Sequence, residues 1–139
     1  MRKVRIEQIN FDLTWSIRHE VMYPNLPFDT IKLANDPDGI HFGLYANDQL
    51  TAVVSLFNSG PVYQFRKFAT RVDAQGKGYG RLLLKHVISY VKDVGAERLW
   101  CNARVSAAGF YSKFGFKETD QLSQSNGIDF VIMELQLYN

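Results

Sequence analysis

Gln75-Gly76-Lys77-Gly78-Tyr79-Gly80 is the stretch on which the reading of this chain turns. It follows a strand-like apolar run, residues 62–72. After it, Leu82, Leu83, Val87, Tyr90, Val91 and Val94 recur at helical spacing until Gly95. Glycines at alternate positions admit backbone angles closed to other residues and keep side chains off a ligand that meets the main chain. Successive N–H groups at the positive end of the following helix make an anion site, with Lys77 and Arg81 adding charge at its rim. The loop is therefore a phosphate cradle, and two forms of cradle are excluded. A Walker loop needs Ser or Thr after Gly-Lys to hold magnesium, and Gly78 stands there. The dinucleotide fingerprint needs a glycine three positions after its second, where this chain has Arg81.

Outward from this loop, alternation predicts a first strand over residues 2–8, and helical spacing predicts a helix over 11–21 that Pro24 stops. Residues 24–39 hold most of the prolines and read as a surface loop with a short helix at 30–35. Residues 40–46 and 50–57 flank Asn47-Asp48-Gln49 as a hairpin, and Asn58-Ser59-Gly60-Pro61 is a further turn. A short strand at 98–102, a short helix at 107–114 ended by Gly115, an extended piece at 116–119 and a last strand at 128–137 complete the series. The order β-α-(α)-β-β-β-α-β-α-β-β predicts an α/β (α+β) fold, a mixed sheet with helices on both faces.

At 139 residues the chain reads as one domain, 1–139, without repeats or linkers. Sixteen Lys and Arg against fourteen Asp and Glu leave a net charge of +2, too small for an electrostatic nucleic-acid or membrane-surface binder. One cysteine excludes an intramolecular disulfide framework and, with three histidines, argues against a structural zinc site; a reducing cytoplasm is the expected setting. No signal peptide follows Met1-Arg2-Lys3, and residues 50–57, the most apolar run, fall far short of the ~20 residues that span a bilayer.

Two motifs carry a resemblance to a known family. Gln75-x-x-Gly78-x-Gly80 between strand and helix resembles the acetyl-CoA pyrophosphate motif of GCN5-related N-acetyltransferases (GNAT). Phe110-Tyr111-x-x-x-Gly115-Phe116 resembles the second signature of that family. Nearly the whole chain matches the family's element order. Arg18-His19-Glu20-Val21 with Pro24 and Pro27, His41-Phe42-Gly43, the run from Gln64 to Thr70 and the run from Leu99 to Arg104 are similar to a small bacterial subgroup of unsettled substrate. The resemblance implies a mostly antiparallel sheet with a splayed central strand pair. It also implies acetyl-CoA as co-substrate, no metal, and a small-molecule or protein amine as acceptor, with no nucleic-acid or membrane partner, in a monomer or homodimer.

Carried over position by position, the resemblance puts the pantetheine arm against the backbone of Phe68, Ala69 and Thr70 as an added strand. The pyrophosphate falls to Gln75, Gly76, Lys77, Gly78, Tyr79 and Gly80 with Arg81 nearby, and Asn102 borders the thioester end. Tyr111 stands near the sulfur as the general acid, and an N–H near Thr70 serves as oxyanion donor. The general base is open: many family members use a glutamate on the strand equivalent to 62–72, and residues 64–70 contain no carboxylate. His41, Glu20, His19, Asp129 and a water chain are the candidates. A CoA-binding regulatory module or inactive homologue is the alternative reading.

Arg66 shares a strand face with Gln64, Phe68 and Thr70 by alternation. It is a clamp for a substrate carboxylate, with Arg18 or Arg104, or one half of an ion pair with Glu20 or another carboxylate, or a strand end in water. Cys101 reads as core, and Trp15, Trp100 and the phenylalanines read as mostly core. Residues 24–39 and 121–127 read as the loops that build the acceptor pocket.

Overall fold

The computed structural model describes residues 3–137. Arg2, the first residue of the predicted opening strand, lies outside them. Seven strands take the order β1-β2-β3-β4-β5-β7-β6. Packing divides the chain into two compact units, one of residues up to Phe57 with Arg66–Tyr90, the other of Asn58–Phe65 with Val91 onward.

In the first unit β1 (Val4–Ile9), β2 (Ile40–Ala46) and β3 (Gln49–Ser59) form an antiparallel meander. Asn47 and Asp48, at φ 51° and 67°, supply the left-handed pair that a tight hairpin turn requires. Register sets Phe42 opposite Val54 and Gly43 opposite Val53, so these two pairs point to opposite faces. On the Val53 face, α1 (Trp15–Met22) lays Ile17, Val21 and Met22 against Val53 and Ala69. On the other, α2 (Tyr79–Asp93) brings His86 and Tyr90 to within 4.9 and 5.2 Å of the Phe42 ring, centroid to centroid. Helices thus cover both faces, as the pattern predicted.

In the second unit β5 (Arg98–Arg104) pairs antiparallel with β7 (Ile128–Gln136), which pairs with β6 (Lys117–Ser125). The first residues of β4 (Val62–Thr70) run parallel to β5, but the ladder holds only Val62–Gln64 against Arg98–Trp100. A tight 3-10 turn leads into α3 (Ala108–Ser112), and Gly115 at φ 95° leads out.

Three local expectations change. The short helix at 30–35 is instead two 3-10 turns, Phe28–Ile31 with Pro27 at its N-cap and Asp36–Asp38 with Pro37 in its first turn, where a proline's missing N–H costs nothing. The strand predicted over 62–72 ends at Thr70: the Arg71 N–H turns aside to the Thr51 carbonyl and Val72–Ala74 coils into a 3-10 turn. Residues 121–125, expected in a loop, belong to β6, and only Asn126-Gly127, at φ 52° and 77°, turns the chain into β7.

Candidate active site

The glycine loop has the backbone its sequence calls for. Gly76 and Gly78 sit at φ 80° and 86°, and a Cβ built on either meets nothing within 4 Å, so the space above them is open. The Gly78 carbonyl accepts the Leu82 N–H at 3.2 Å, which makes Gly78 the N-cap of α2. The first turn of α2 then carries the positive end of the helix dipole. Gln75 braces the loop, its Nε2 donating to the Thr70 carbonyl at 3.0 Å. At Gly80 a Cβ would lie 3.6 Å from the Phe68 ring and 3.8 Å from Thr70 Oγ1, so the loop and the end of β4 are in contact. Lys77 and Arg81 are exposed, whereas Tyr79 is buried. A polar cavity of ≈ 300 Å³ opens beside the loop, with Thr51, Arg71, Asp73, Lys77 and Tyr79 among its walls.

One residue earlier in β4 the backbone breaks its alternation. Lys67 holds φ 55°, a left-handed angle in mid-strand, so the expectation that Arg66 shares a face with Phe68 and Thr70 does not carry through. Arg66 is half-buried and forms no ion pair with any described residue. Two of the three residues named with it are engaged elsewhere: Glu20 lies 3.8 Å from Arg71, and Arg18 is fully buried against Asp36.

Tyr111 stands in an aromatic group, its ring 5.7 Å from Phe65, 6.0 Å from Phe116 and 5.2 Å from Phe110. Burial raises its pKa above the usual phenol range, and the neighbouring Cys101 adds to the shift. Cys101 is buried, as expected, and burial pushes its thiol up to about 12. Along β5 Leu99, Cys101 and Ala103 turn inward while Trp100 and Asn102 turn the other way. Trp100, read as core, is instead half-buried, and with Gln64, Asn102, Gln121 and Ile132 it lines a cavity of ≈ 310 Å³. Asn102 and Cys101 therefore lie on opposite faces of β5. Sequence reasoning missed this cavity because it read residues 121–127 as a loop, although Asn126-Gly127 is a strong hairpin signal.

His41 does not serve as a base. It is buried, its Nε2–H donates to the Asp36 carbonyl at 2.8 Å, and its Nδ1 accepts from Ser55 Oγ at 2.7 Å. Ser55 Oγ in turn accepts from Arg18 Nη2 at 2.7 Å, which leaves its proton for the imidazole and fixes the neutral ring. Burial first, then the Arg18 charge, lowers the His41 pKa, against the raising effect of Asp36. Arg18 also forms a fork of two 2.8 Å bonds with Asp36, so it is a structural ion and no substrate clamp. His19 Nε2 is bonded to the Leu26 carbonyl at 2.8 Å, and Asp129 accepts from Gln124 at 3.0 Å. Among the described residues no cluster of His, Cys, Asp or Glu is arranged to hold a metal ion, and no helix is long and apolar enough to cross a membrane.

Known proteins share this chain's family and fold. Residues 20–137 match the acetyltransferase (GNAT) domain family. The chain is 26% identical over 134 residues to the uncharacterized N-acetyltransferase YitI of Bacillus subtilis, covering 90% of each. It is 26% identical over 121 residues to the ribosomal protein bS18-alanine N-acetyltransferase of Haemophilus influenzae, covering 84% of this chain and 81% of that one. The fold is shared with a Bacillus subtilis acetyltransferase solved in complex with CoA, with a TM-score of 0.74, 22% identity and coverage of 98% and 100%. The family match and these relatives define an acyltransferase. The chain belongs to the GNAT acetyltransferase family.

Proposed function

We propose that residues 1–139 act as one cytoplasmic domain that transfers an acetyl group from acetyl-CoA to a primary amine by direct attack in a ternary complex. The observation that carries this reading is the open space above two left-handed glycines at the N-terminus of α2. A diphosphate suits that place: the helix dipole is favourable and nothing stands within 4 Å of where a Cβ on either glycine would be. Acetyl-CoA would supply an acyl group already activated as a thioester. Residues 76–81 hold the diphosphate, and the main chain of Phe68, Ala69 and Thr70 offers a strand edge to the arm. An N–H near Thr70 donates to the carbonyl oxygen, a donor fixed in advance at no reorganisation cost.

Tyr111 keeps its Oη proton across the working pH range, because burial raises its pKa. It presents that proton to the sulfur as a hydrogen bond that strengthens as negative charge builds there. With its thiol at about 12, Cys101 offers no thiolate to act as an acyl carrier, which favours direct transfer. No carboxylate stands in β4 to take the amine proton, so water receives it from an amine that arrives neutral or becomes so on binding.

Acetyl-CoA should raise the melting temperature by mass action, with about 2.7 kcal/mol of added stability at a hundred times Kd. Gly78→Val should abolish that shift while the domain stays folded, since its Cβ points into open space and the left-handed angle costs roughly 1–2 kcal/mol. A full shift in the variant would refute the cradle. Acetyl-CoA consumption over an amine panel, with peptide N-termini included because one relative is named for a ribosomal-protein alanine, then separates catalysis from CoA binding alone.

A further inference from the structure

Arg66 and Lys67 immediately precede Phe68, Ala69 and Thr70, the segment assigned above to the pantetheine arm, and the inference rests on that reading. Chain direction fixes which end of the arm these cations attend. The diphosphate loop follows Thr70, so β4 runs back from it towards Arg66 at about 3.3 Å per residue. The two cations stand at the end remote from the diphosphate, where the acyl group of an extended arm comes to lie.

Three carboxylates of the first unit are engaged with other arginines. Asp36 is held by Arg18, while Glu20 and Asp73 lie 3.8 and 3.7 Å from Arg71. Lys67 reaches Tyr23, its Nζ 3.4 Å from the phenol oxygen and 5.0 Å from the ring centroid. Its left-handed backbone, unfavourable for any residue with a Cβ, re-aims the strand at this point. Arg66 is left half-buried with no ion pair to any described residue, and its guanidinium is open to a ligand from solution.

We propose that Arg66 binds a carboxylate of the acceptor, so that the acceptor is an amine bearing a carboxylate a few bonds from its nitrogen, the chemistry of an amino acid. A guanidinium fork suits this ligand because it pairs with both carboxylate oxygens at once. Lys67 adds attraction at longer range, and the two charges together disfavour polyamines. The amine nitrogen forms the new C–N bond as the C–S bond breaks; the surplus ammonium proton goes to water, the thiolate gains one, and the acceptor carboxylate is unchanged.

The test uses the full chain, ¹⁵N-labelled and saturated with CoA, titrated with N-acetyl amino acids and with their C-terminal amides as uncharged product analogues. The acids should shift the backbone resonances of residues 66–68 with a Kd at least ~10-fold below that of the amides. Arg66→Gln should erase the difference and Arg66→Lys restore part of it, with CoA affinity the same in all three proteins. Equal binding of acid and amide, binding of neither, or a preference that survives in Arg66→Gln would overturn the proposal. Failure of the unaltered chain to bind CoA would overturn the parent reading along with it.

Discussion

Two buried polar centres, one in each unit, respond to the loss of water in opposite ways. In the first unit burial alone would raise the Asp36 pKa, yet the Arg18 guanidinium, the Leu33 N–H and the Trp15 indole N–H bring it down to about 2. In the second unit Cys101 has no such partners, and the same desolvation drives its thiol up to about 12 and carries Tyr111 upward as well. Removal from water is common to both, so the hydrogen bonds decide the sign. The first centre is committed to holding residues 31–36 against α1, β2 and β3. The second keeps its protons, which is what a hydrogen-bond donor to a leaving thiolate requires.

The largest expected effect breaks the first centre. Asp36→Ala should destabilise the fold by about 3–5 kcal/mol in chemical denaturation, because it strands a fully buried guanidinium. Replacing the pair together, Arg18→Met with Asp36→Leu, should recover much of that loss; no recovery would mean that the guanidinium bond to the Ile31 carbonyl matters more than the ion pair.

A smaller effect probes the second centre. Tyr111→Phe should lower kcat by roughly 10²-fold, the low end for general-acid loss, while CoA affinity holds. A rate within twofold of the unaltered enzyme would reduce Tyr111 to packing.

The smallest effect is a pH dependence confined to the first unit. Asp36 has a folded pKa below its unfolded 3.8. Its contribution, about 2 kcal/mol, is therefore complete above pH 4 and lost as pH falls towards about 2. The pKa of His41 is also depressed, so the unfolded chain takes up a proton that the fold refuses, and stability starts to decline once pH falls below 6.5. In His41→Gln the decline just below pH 6.5 should flatten while the one below pH 4 remains. An unchanged upper stage would assign it to another group.

Features with a local cause were legible in the sequence. Glycine is the residue that accepts φ near 80° without cost, so Gly76 and Gly78 announced their own geometry, and the apolar period of α2 announced the helix behind them. The buried thiol and the element order followed from the same short-range rules. Tertiary structure alone decided who partners whom. Arg18, Asp36, Ser55 and His41 are spread over residues 18–55 and meet only once α1, the 31–38 turns, β2 and β3 have packed, so His41 passed for a base and Arg18 for a clamp. Likewise nothing local to Lys67 calls for a left-handed angle in mid-strand. The physical reason is range: backbone preference and periodicity act over a few residues, whereas a charge answers to whatever folding brings to within about 3 Å of it.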